Sequence, residues 1–121
     1  MPKMTEPTFD RDGYPTEETL EAIKQWPWEE RTAVFPFIAS AWHWDDGAKE
    51  TRPGLWVFAT GGWSGNESLI DALRANMCHY RFRSLLLGSL SVWAVTDAAK
   101  QDVEAMESRI VDWAWGKPPC S

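Results

Sequence analysis

The chain has 121 residues, a net charge of −6 and nine tryptophans, which is the length of one ordinary domain. With 44% hydrophobic and 25% charged residues, its composition is that of a soluble globular chain and not of a disordered one. No apolar run approaches the ~18–20 residues of a membrane span, and the first residues do not form a signal peptide. We therefore expect a single cytoplasmic domain over residues 1–121, without a membrane partner.

The acidic residues are concentrated toward the two ends of the chain. Residues 1–50 carry eleven acidic and five basic side chains, residues 51–96 carry two and four, and residues 97–121 carry five and three. Because nucleic-acid binding depends on Lys and Arg neutralising phosphates, this charge argues against direct binding to nucleic acid. It favours a protein partner with a basic surface; the alternative is that the charge only maintains solubility.

The cysteines and histidines form no disulfide or metal pattern. Cys78 falls within a helical pattern and Cys120 is the next-to-last residue, so both are expected to be free thiols. The sole local cluster with metal-ligand chemistry is His43-Trp44-Asp45-Asp46, whereas zinc sites normally show three or four ligands at recognisable spacing. We expect neither a metal site nor a cofactor.

The first part of the chain predicts a loose arm followed by a helix. Residues 1–12 show no periodicity, and Gly13-Tyr14-Pro15 is typical of a turn. Thr16 is placed to cap a helix whose first turn carries two glutamates, which are favourable at the positive end of the helix dipole. We expect this helix to end before Pro27.

A second helix is predicted from Trp28 to about Ala39. Pro36 removes a backbone hydrogen bond inside it, so we expect a kink or an early stop there. The residues that follow predict a β-hairpin with a long loop, with one strand at 41–44 and the other in the apolar run 55–60. That unbroken run indicates a central strand covered on both faces.

A third helix is predicted to begin at residues 64–67. Ser64 and Glu67 have the spacing of a capping box, in which each side chain accepts from the backbone N–H of the other residue. The helical periodicity continues to about residue 86. On this helix the predicted core positions are Leu69, Ile70, Leu73, Met77 and Tyr80, and the predicted solvent positions are Glu67, Asp71, Arg74, Cys78 and Arg81.

The last part of the chain predicts a strand at 90–95 and a helix capped by Thr96 or Asp97, followed by a loose tail at 117–121. Its apolar positions are Ala99, Val103, Met106, Ile110 and Trp113. The complete order is α-α-β-β-α-β-α, an α+β fold with a small, mostly antiparallel sheet packed by helices. Because such a sheet has edge strands with unpaired backbone groups, homodimerisation is a further alternative.

The segment Thr60-Gly61-Gly62-Trp63-Ser64-Gly65-Asn66-Glu67 is the candidate functional site. A strand that leads through glycines into a helix directs backbone N–H groups at one place, which favours an anion. The open alternatives are a turn without a ligand, an interaction surface, and a pocket for a small anion or nucleotide. The candidate binding residues are Thr60, Gly61, Gly62, Trp63, Ser64, Gly65, Asn66, Arg74 and Arg81.

No residues have the geometry of a catalytic site. Cys78 and His79 are adjacent on the predicted helix, so their side chains point about 100° apart. A base at His79 would lie about 20 Å along the helix axis from Ser64. The paired acidic residues are explained by helix starts and a turn. We therefore assign no catalytic residue and favour a protein that is not an enzyme.

The chain resembles a group of small uncharacterised proteins associated with bacteriophages, prophages and other mobile elements. The resemblance covers roughly residues 13–95. It rests on Gly13-Tyr14-Pro15-Thr16-Glu17-Glu18 and above all on the string at residues 60–67, followed by Ile70, Ala72, Leu73 and Asn76. This chain departs from the group at Leu85-Leu86-Leu87-Gly88-Ser89-Leu90, where similar proteins have a Gly-Gly-His-Tyr strand start, and its final helix is an addition.

The resemblance implies a setting, the cytoplasm of a bacterial host cell, and no chemical activity. By analogy with small acidic phage proteins that inhibit host machinery, anti-CRISPR proteins among them, it implies an accessory protein that binds and modulates or inhibits a host protein. Two alternatives stay open: a small anionic-ligand or nucleotide-binding module that uses Gly61–Asn66, and an immunity protein against a toxin.

Overall fold

The computed structural model describes residues 5–44 and 47–114. Short 3₁₀ turns at Trp28–Glu30 and His79–Arg81 precede the second helix and the third strand. The predicted α+β class is confirmed. The helices are α1 (Glu17–Lys24), α2 (Arg31–Ser40), α3 (Ser64–Ala75) and α4 (Asp97–Ala114), and the strands are β1 (Ala48–Arg52), β2 (Leu55–Ala59), β3 (Arg83–Leu87) and β4 (Leu90–Ala94).

The strands form one antiparallel sheet in the order β1-β2-β4-β3, so the predicted central position of β2 is confirmed. Successive side chains of a strand point to opposite faces of the sheet. On one face, Phe58 and Trp93 pack with residues of α1, α2 and α3. On the other face, Leu55 and Val92 pack with Val103 of α4. The sheet is therefore the middle of three layers.

The start of α1 is held by threonine hydroxyls. The predicted cap is confirmed, because the Oγ1 of Thr16 accepts from the backbone N–H of Thr19 at 3.3 Å. The preceding segment is joined to the same helix, since the backbone N–H of Thr8 donates to the Oγ1 of Thr19 at 2.8 Å. A β-bridge between Phe9 and Pro15 closes the turn between them. Residues 8–16 are thus hydrogen-bonded to the start of α1.

Helix α2 continues through Pro36 to Ser40, so the predicted early stop is wrong. Proline inside a helix costs about 3 kcal/mol through its missing hydrogen bond and its ring. Here Pro36 itself is exposed. Burial of four large apolar side chains on the same two turns offsets that cost at roughly 1.5–3 kcal/mol each. These four residues are Val34, Phe35, Phe37 and Ile38.

The hairpin is tighter than predicted, and its first strand comes from the polar stretch. Residues 41–44 form no strand, and β1 at Ala48–Arg52 joins β2 through the two-residue turn Pro53-Gly54, with Gly54 at φ +79°. Because β1 is an edge strand with mostly exposed side chains, it needs no apolar alternation. The buried Trp42 instead donates from its Nε1 to the carbonyl of Ala59 at 3.0 Å.

Helix α3 ends at Ala75, well before the predicted end near residue 86. The next residue, Asn76, leaves the helical region with ψ at 133°. Its side chain donates to the carbonyls of Ile23 and Trp26 at 2.9 and 3.1 Å. Consequently Met77, predicted to face the core, is 86% exposed. The predicted element order holds, with β3 added between α3 and the last strand.

The last helix agrees with its predicted start. The backbone N–H of Ala99 donates to the Oγ1 of Thr96 at 3.2 Å, and Ala99 and Val103 are buried as predicted. An ion pair between Arg83 and Glu107 joins β3 to α4. Within residues 5–44 and 47–114, no helix combines the length and hydrophobicity needed to cross a bilayer. Outside the described part lie the predicted tail at 117–121, Cys120 and Trp115, and the side chains of Tyr80, Ile110 and Trp113.

Candidate functional site

The loop between β2 and α3 turns on two glycines. Gly61 has φ +63° and Gly62 has φ +78°, where a residue with a Cβ would be strained. The loop begins at the buried Thr60, whose backbone N–H donates to the carbonyl of Ser89 at 2.9 Å. The Oγ1 of Thr60 also accepts from the N–H of Gly62 at 3.4 Å. The β3–β4 turn therefore fixes the start of this loop.

Asn66 joins the loop to the segment that follows α2. It is fully buried, with 0% of its surface exposed. Its Oδ1 accepts from the backbone N–H of His43 at 3.0 Å, and its Nδ2 donates to the carbonyl of Thr60 at 3.3 Å. This residue, predicted to bind a ligand, thus uses its amide to hold two backbone segments together.

The predicted capping box at the start of α3 is wrong. Trp63 occupies the N-cap position and Ser64 is the first helical residue, and in the described chain no side chain caps this helix. The carbonyl of Trp63 accepts the first helical hydrogen bond, from the N–H of Glu67 at 3.1 Å. The side chains of Ser64 and Glu67 are both exposed.

Four rings meet beside this loop, from Tyr14, His43, Trp44 and Trp63; we call them the aromatic cluster. Trp63 stacks on Tyr14 with ring centroids 4.9 Å apart, and on His43 with centroids 4.4 Å apart. Trp44 meets His43 edge-on at 4.8 Å. These are favourable distances for aromatic pairs. The rings are nevertheless accessible, because Tyr14 is 38% exposed and Trp44 is 46% exposed.

Two glycines of the loop make room for these rings. A Cβ at Gly61 would lie 2.5 Å from a ring carbon of Trp44, and a Cβ at Gly65 would lie 2.2 Å from a ring carbon of Trp63. Both distances are far below ordinary van der Waals contact, which starts at 3.4 Å. The tryptophan rings therefore fill the space beside Gly61 and Gly65, while the space beside Gly62 is open.

Replacing Gly65 with alanine should displace the indole of Trp63 and disrupt its stacking on Tyr14 and His43. The free energy of unfolding should change little, because two effects oppose each other. Alanine is about 1 kcal/mol better than glycine inside a helix, and displacement of the indole offsets this gain. Near-ultraviolet circular dichroism, which reports on the packing of aromatic rings, should change clearly. The control is Ser64→Ala at the neighbouring exposed position, which should leave the spectrum unchanged. Identical spectra for the two variants would contradict this packing.

Exposed carboxylates border the aromatic cluster. The Oδ1 of Asp10 accepts from the backbone N–H groups of Asp12 and Tyr14 at 2.9 and 3.0 Å. Glu67 lies in the first turn of α3, directly after Trp63. Among the described residues, Asp10, Asp12 and Glu67 form no ion pair. The cluster is thus flanked by negative charge.

The two arginines predicted for the site lie outside the cluster. Arg74 is exposed near the end of α3. Arg81 lies beyond that helix, with its guanidinium 5.1 Å from the ring centroid of Trp28, over which Arg31 also lies at 4.4 Å. Their predicted position on one helix face is wrong, because α3 ends at Ala75.

The other candidates from the sequence were a metal-ligand cluster around His43 and the thiol of Cys78. Among residues 5–44 and 47–114, no group of three or more His, Cys, Asp or Glu side chains is placed to hold a metal ion. The ring of His43 stacks on Trp63. Cys78 is a half-buried free thiol in the turn after α3, and not on a helix face as predicted.

Sequence reasoning missed Tyr14 and His43 as members of this surface and left Trp44 without a role. Their contacts with Trp63 join three distant parts of the chain, which no local pattern reveals. Two signals were present: an aromatic residue inside the turn Gly13-Tyr14-Pro15, and the run Trp42-His43-Trp44, of which only the first residue is buried.

Comparison with family models, with curated proteins and with solved structures found no match for this chain.

Proposed function

We propose that the protein is a binding protein without enzymatic activity, which recognises a basic segment of a partner protein through the aromatic cluster. The observation that carries this proposal is the exposure of several stacked rings on one surface. Grouped aromatic side chains in water are typical of interaction sites, whereas single exposed apolar residues are ordinary. Aromatic residues are also the side chains that most often dominate binding energy at protein interfaces.

The charge around the cluster supports a cationic partner. An arginine or lysine placed over an indole or phenol ring gains about 0.5–2 kcal/mol, and the nearby carboxylates of Asp10, Asp12 and Glu67 would add charge-assisted hydrogen bonds. Arg31 and Trp28 make the same kind of contact inside this protein. The net charge of −6 would also accelerate encounter with a basic partner.

The biological setting of this proposal is the one that the resemblance implies. The partner would be a protein of the bacterial host cell, and binding would modulate or inhibit it. An immunity protein that neutralises a basic toxin would use the same surface on a different partner. Identifying the partner separates these two roles, since the surface chemistry is common to both.

The test is peptide binding with matched variants. The full chain is exposed to peptides of equal length that are rich in arginine, rich in glutamate or uncharged. We expect the arginine peptides to bind, and their binding to weaken as salt screens the charges. Trp44→Ala should reduce the affinity about tenfold or more, as truncation of an interface anchor does. Met77→Ala removes another exposed apolar side chain, beyond the far end of α3, and should have no effect.

Equal binding of the three peptide classes would overturn the proposal, as would an equal loss of affinity in the two variants. Thermal unfolding of each variant checks that it is folded during the binding measurement. A host protein captured by the wild-type chain counts as a partner only if Trp44→Ala loses it and Met77→Ala retains it.

A further inference from the structure

We propose a second ligand site, for a small zwitterion of amino-acid or dipeptide size with an apolar side chain. The site is a groove of about 370 Å³ between α3 and the β3–β4 hairpin. This volume lies in the range of pockets that hold small molecules. None of the four rings of the aromatic cluster lines the groove, although Glu67 borders both sites.

Ser91, which lines the groove, has a buried hydroxyl without a hydrogen-bond partner among the described residues. Ser91 of β4 is 3% exposed, and no described group forms a hydrogen bond with its Oγ. Ser91 is in register with Phe58 of β2 and Leu86 of β3. Strand alternation places its side chain on the same face as Trp93, which is the face that α3 covers and where the groove lies. Buried hydroxyls normally have a partner, and a polar ligand atom seated here would supply one.

The helix wall of the groove supplies charges of both signs. Glu67, Asp71 and Arg74 of α3 line it, and their spacings of four and three residues place them on one helix face. All three are exposed, and in the described part of the chain none of them forms an ion pair. Two carboxylates suit an ammonium group, and the guanidinium suits a carboxylate. A ligand that carries both groups satisfies this wall.

The opposite wall combines apolar and polar groups. Leu86 and Leu90 of the hairpin line it together with Thr60, Gly88 and Ser89, and Ile70 of α3 also lines the groove. Leu86 is 42% exposed, so an apolar ligand side chain would cover it. A nucleotide or inorganic phosphate fits poorly, because two of the three charged groups on the helix wall are carboxylates. An amino acid or dipeptide with a leucine-like side chain matches all three parts of the groove.

The test is a titration of the isotope-labelled full chain followed by the backbone amide signals. The probes are leucine, leucyl-leucine, N-acetyl-leucine amide, which lacks both charged ends, and inorganic phosphate. We expect saturable shifts at Ser91 and Arg74 with leucine or its dipeptide and no saturable shift with the other two probes. Trp44→Ala should respond like the wild-type chain, which separates this site from the aromatic cluster.

Matched variants assign the response to the groove. Arg74→Ala and Ser91→Ala should each weaken binding about tenfold, because each removes a hydrogen bond to a charged or buried ligand group. Arg109→Ala removes an equivalent charge from α4, on the other side of the sheet, and should leave binding unchanged. The absence of saturable shifts with both zwitterions would overturn the proposal. So would saturation by phosphate, or equal affinities in all three variants.

Discussion

Replacing Asn66 with alanine will lower the free energy of unfolding by about 2–3 kcal/mol, because a buried polar group left unpaired costs roughly 1–3 kcal/mol. The substitution leaves the N–H of His43 and the carbonyl of Thr60 without the amide that joins them. It also releases the segment that carries Trp44, so binding through the aromatic cluster should be lost together with stability. Urea unfolding followed by circular dichroism measures the first effect, and titration with the arginine peptide measures the second.

Ser68→Ala is the matched control for this substitution. The hydroxyl of Ser68 donates to the carbonyl of Ser64 at 2.9 Å, so its hydrogen bond stays within α3. Removing this half-buried side chain and its one local hydrogen bond should change the free energy of unfolding by no more than about 0.5 kcal/mol. If Asn66→Ala and Ser68→Ala unfold at the same urea concentration, the bonds of Asn66 to His43 and Thr60 do not stabilise the loop.

Replacing Asn76 with alanine is expected to destabilise the chain by a similar amount, about 2–3 kcal/mol, with a different functional result. Its Nδ2 donates to the carbonyls of Ile23 and Trp26, and its Oδ1 accepts from the N–H of Cys78 at 2.8 Å. One buried amide therefore joins the last turn of α1 and the segment after it to the end of α3. The aromatic cluster lies at the opposite end of α3, about 18 Å away along the axis.

Because of this distance, Asn76→Ala should lower stability without lowering the affinity for the peptide. At a temperature where the variant is still folded, Asn76→Ala should bind the arginine peptide as the wild-type chain does. Met77→Ala, at the next position, is the control for stability and should unfold like the wild type. A folded Asn76→Ala variant that has lost peptide binding would show that the two ends of α3 are coupled.

The elements that the sequence predicts well are those set by local interactions. Thr16 and Thr96 cap their helices through bonds to backbone groups three residues away, so spacing alone reveals them. The central strand β2 is equally recognisable, because its unbroken apolar run reflects two buried faces.

The end of α3 was not predictable from periodicity. Apolar residues continue at helical spacing beyond Ala75, so the pattern alone extends the helix to about residue 86. The helix stops because the side chain of Asn76 donates to the carbonyls of Ile23 and Trp26. These two residues lie 53 and 50 positions earlier in the sequence. Long-range bonds of this kind override local helix propensity and leave no periodic signal.

The sequence left three roles open for the string at residues 60–67, and one of them was a turn without a ligand. The positive φ values of Gly61 and Gly62 agree with that turn. Glycine permits both the close approach of a phosphate and the close approach of a ring, and the sequence does not separate the two. The choice depends on Trp44, which packs on Gly61 from a distant segment, and on Trp63, which folds back over Gly65. Asn66 had the same ambiguity, because a buried amide and a ligand-binding amide are the same residue type.

The threonine hydrogen bonds at the start of α1 bear on the proposed binding site, because they hold the segment that carries Tyr14. Tyr14 belongs to the segment that Thr8 attaches to Thr19, and this segment lies outside the sheet. Segments held by few buried contacts open locally while the rest of a protein stays folded. Each opening would remove Tyr14 from Trp63 and leave an incomplete surface. Because apparent affinity scales with the populated fraction of the competent state, loosening residues 8–16 should weaken the binding proposed for the aromatic cluster.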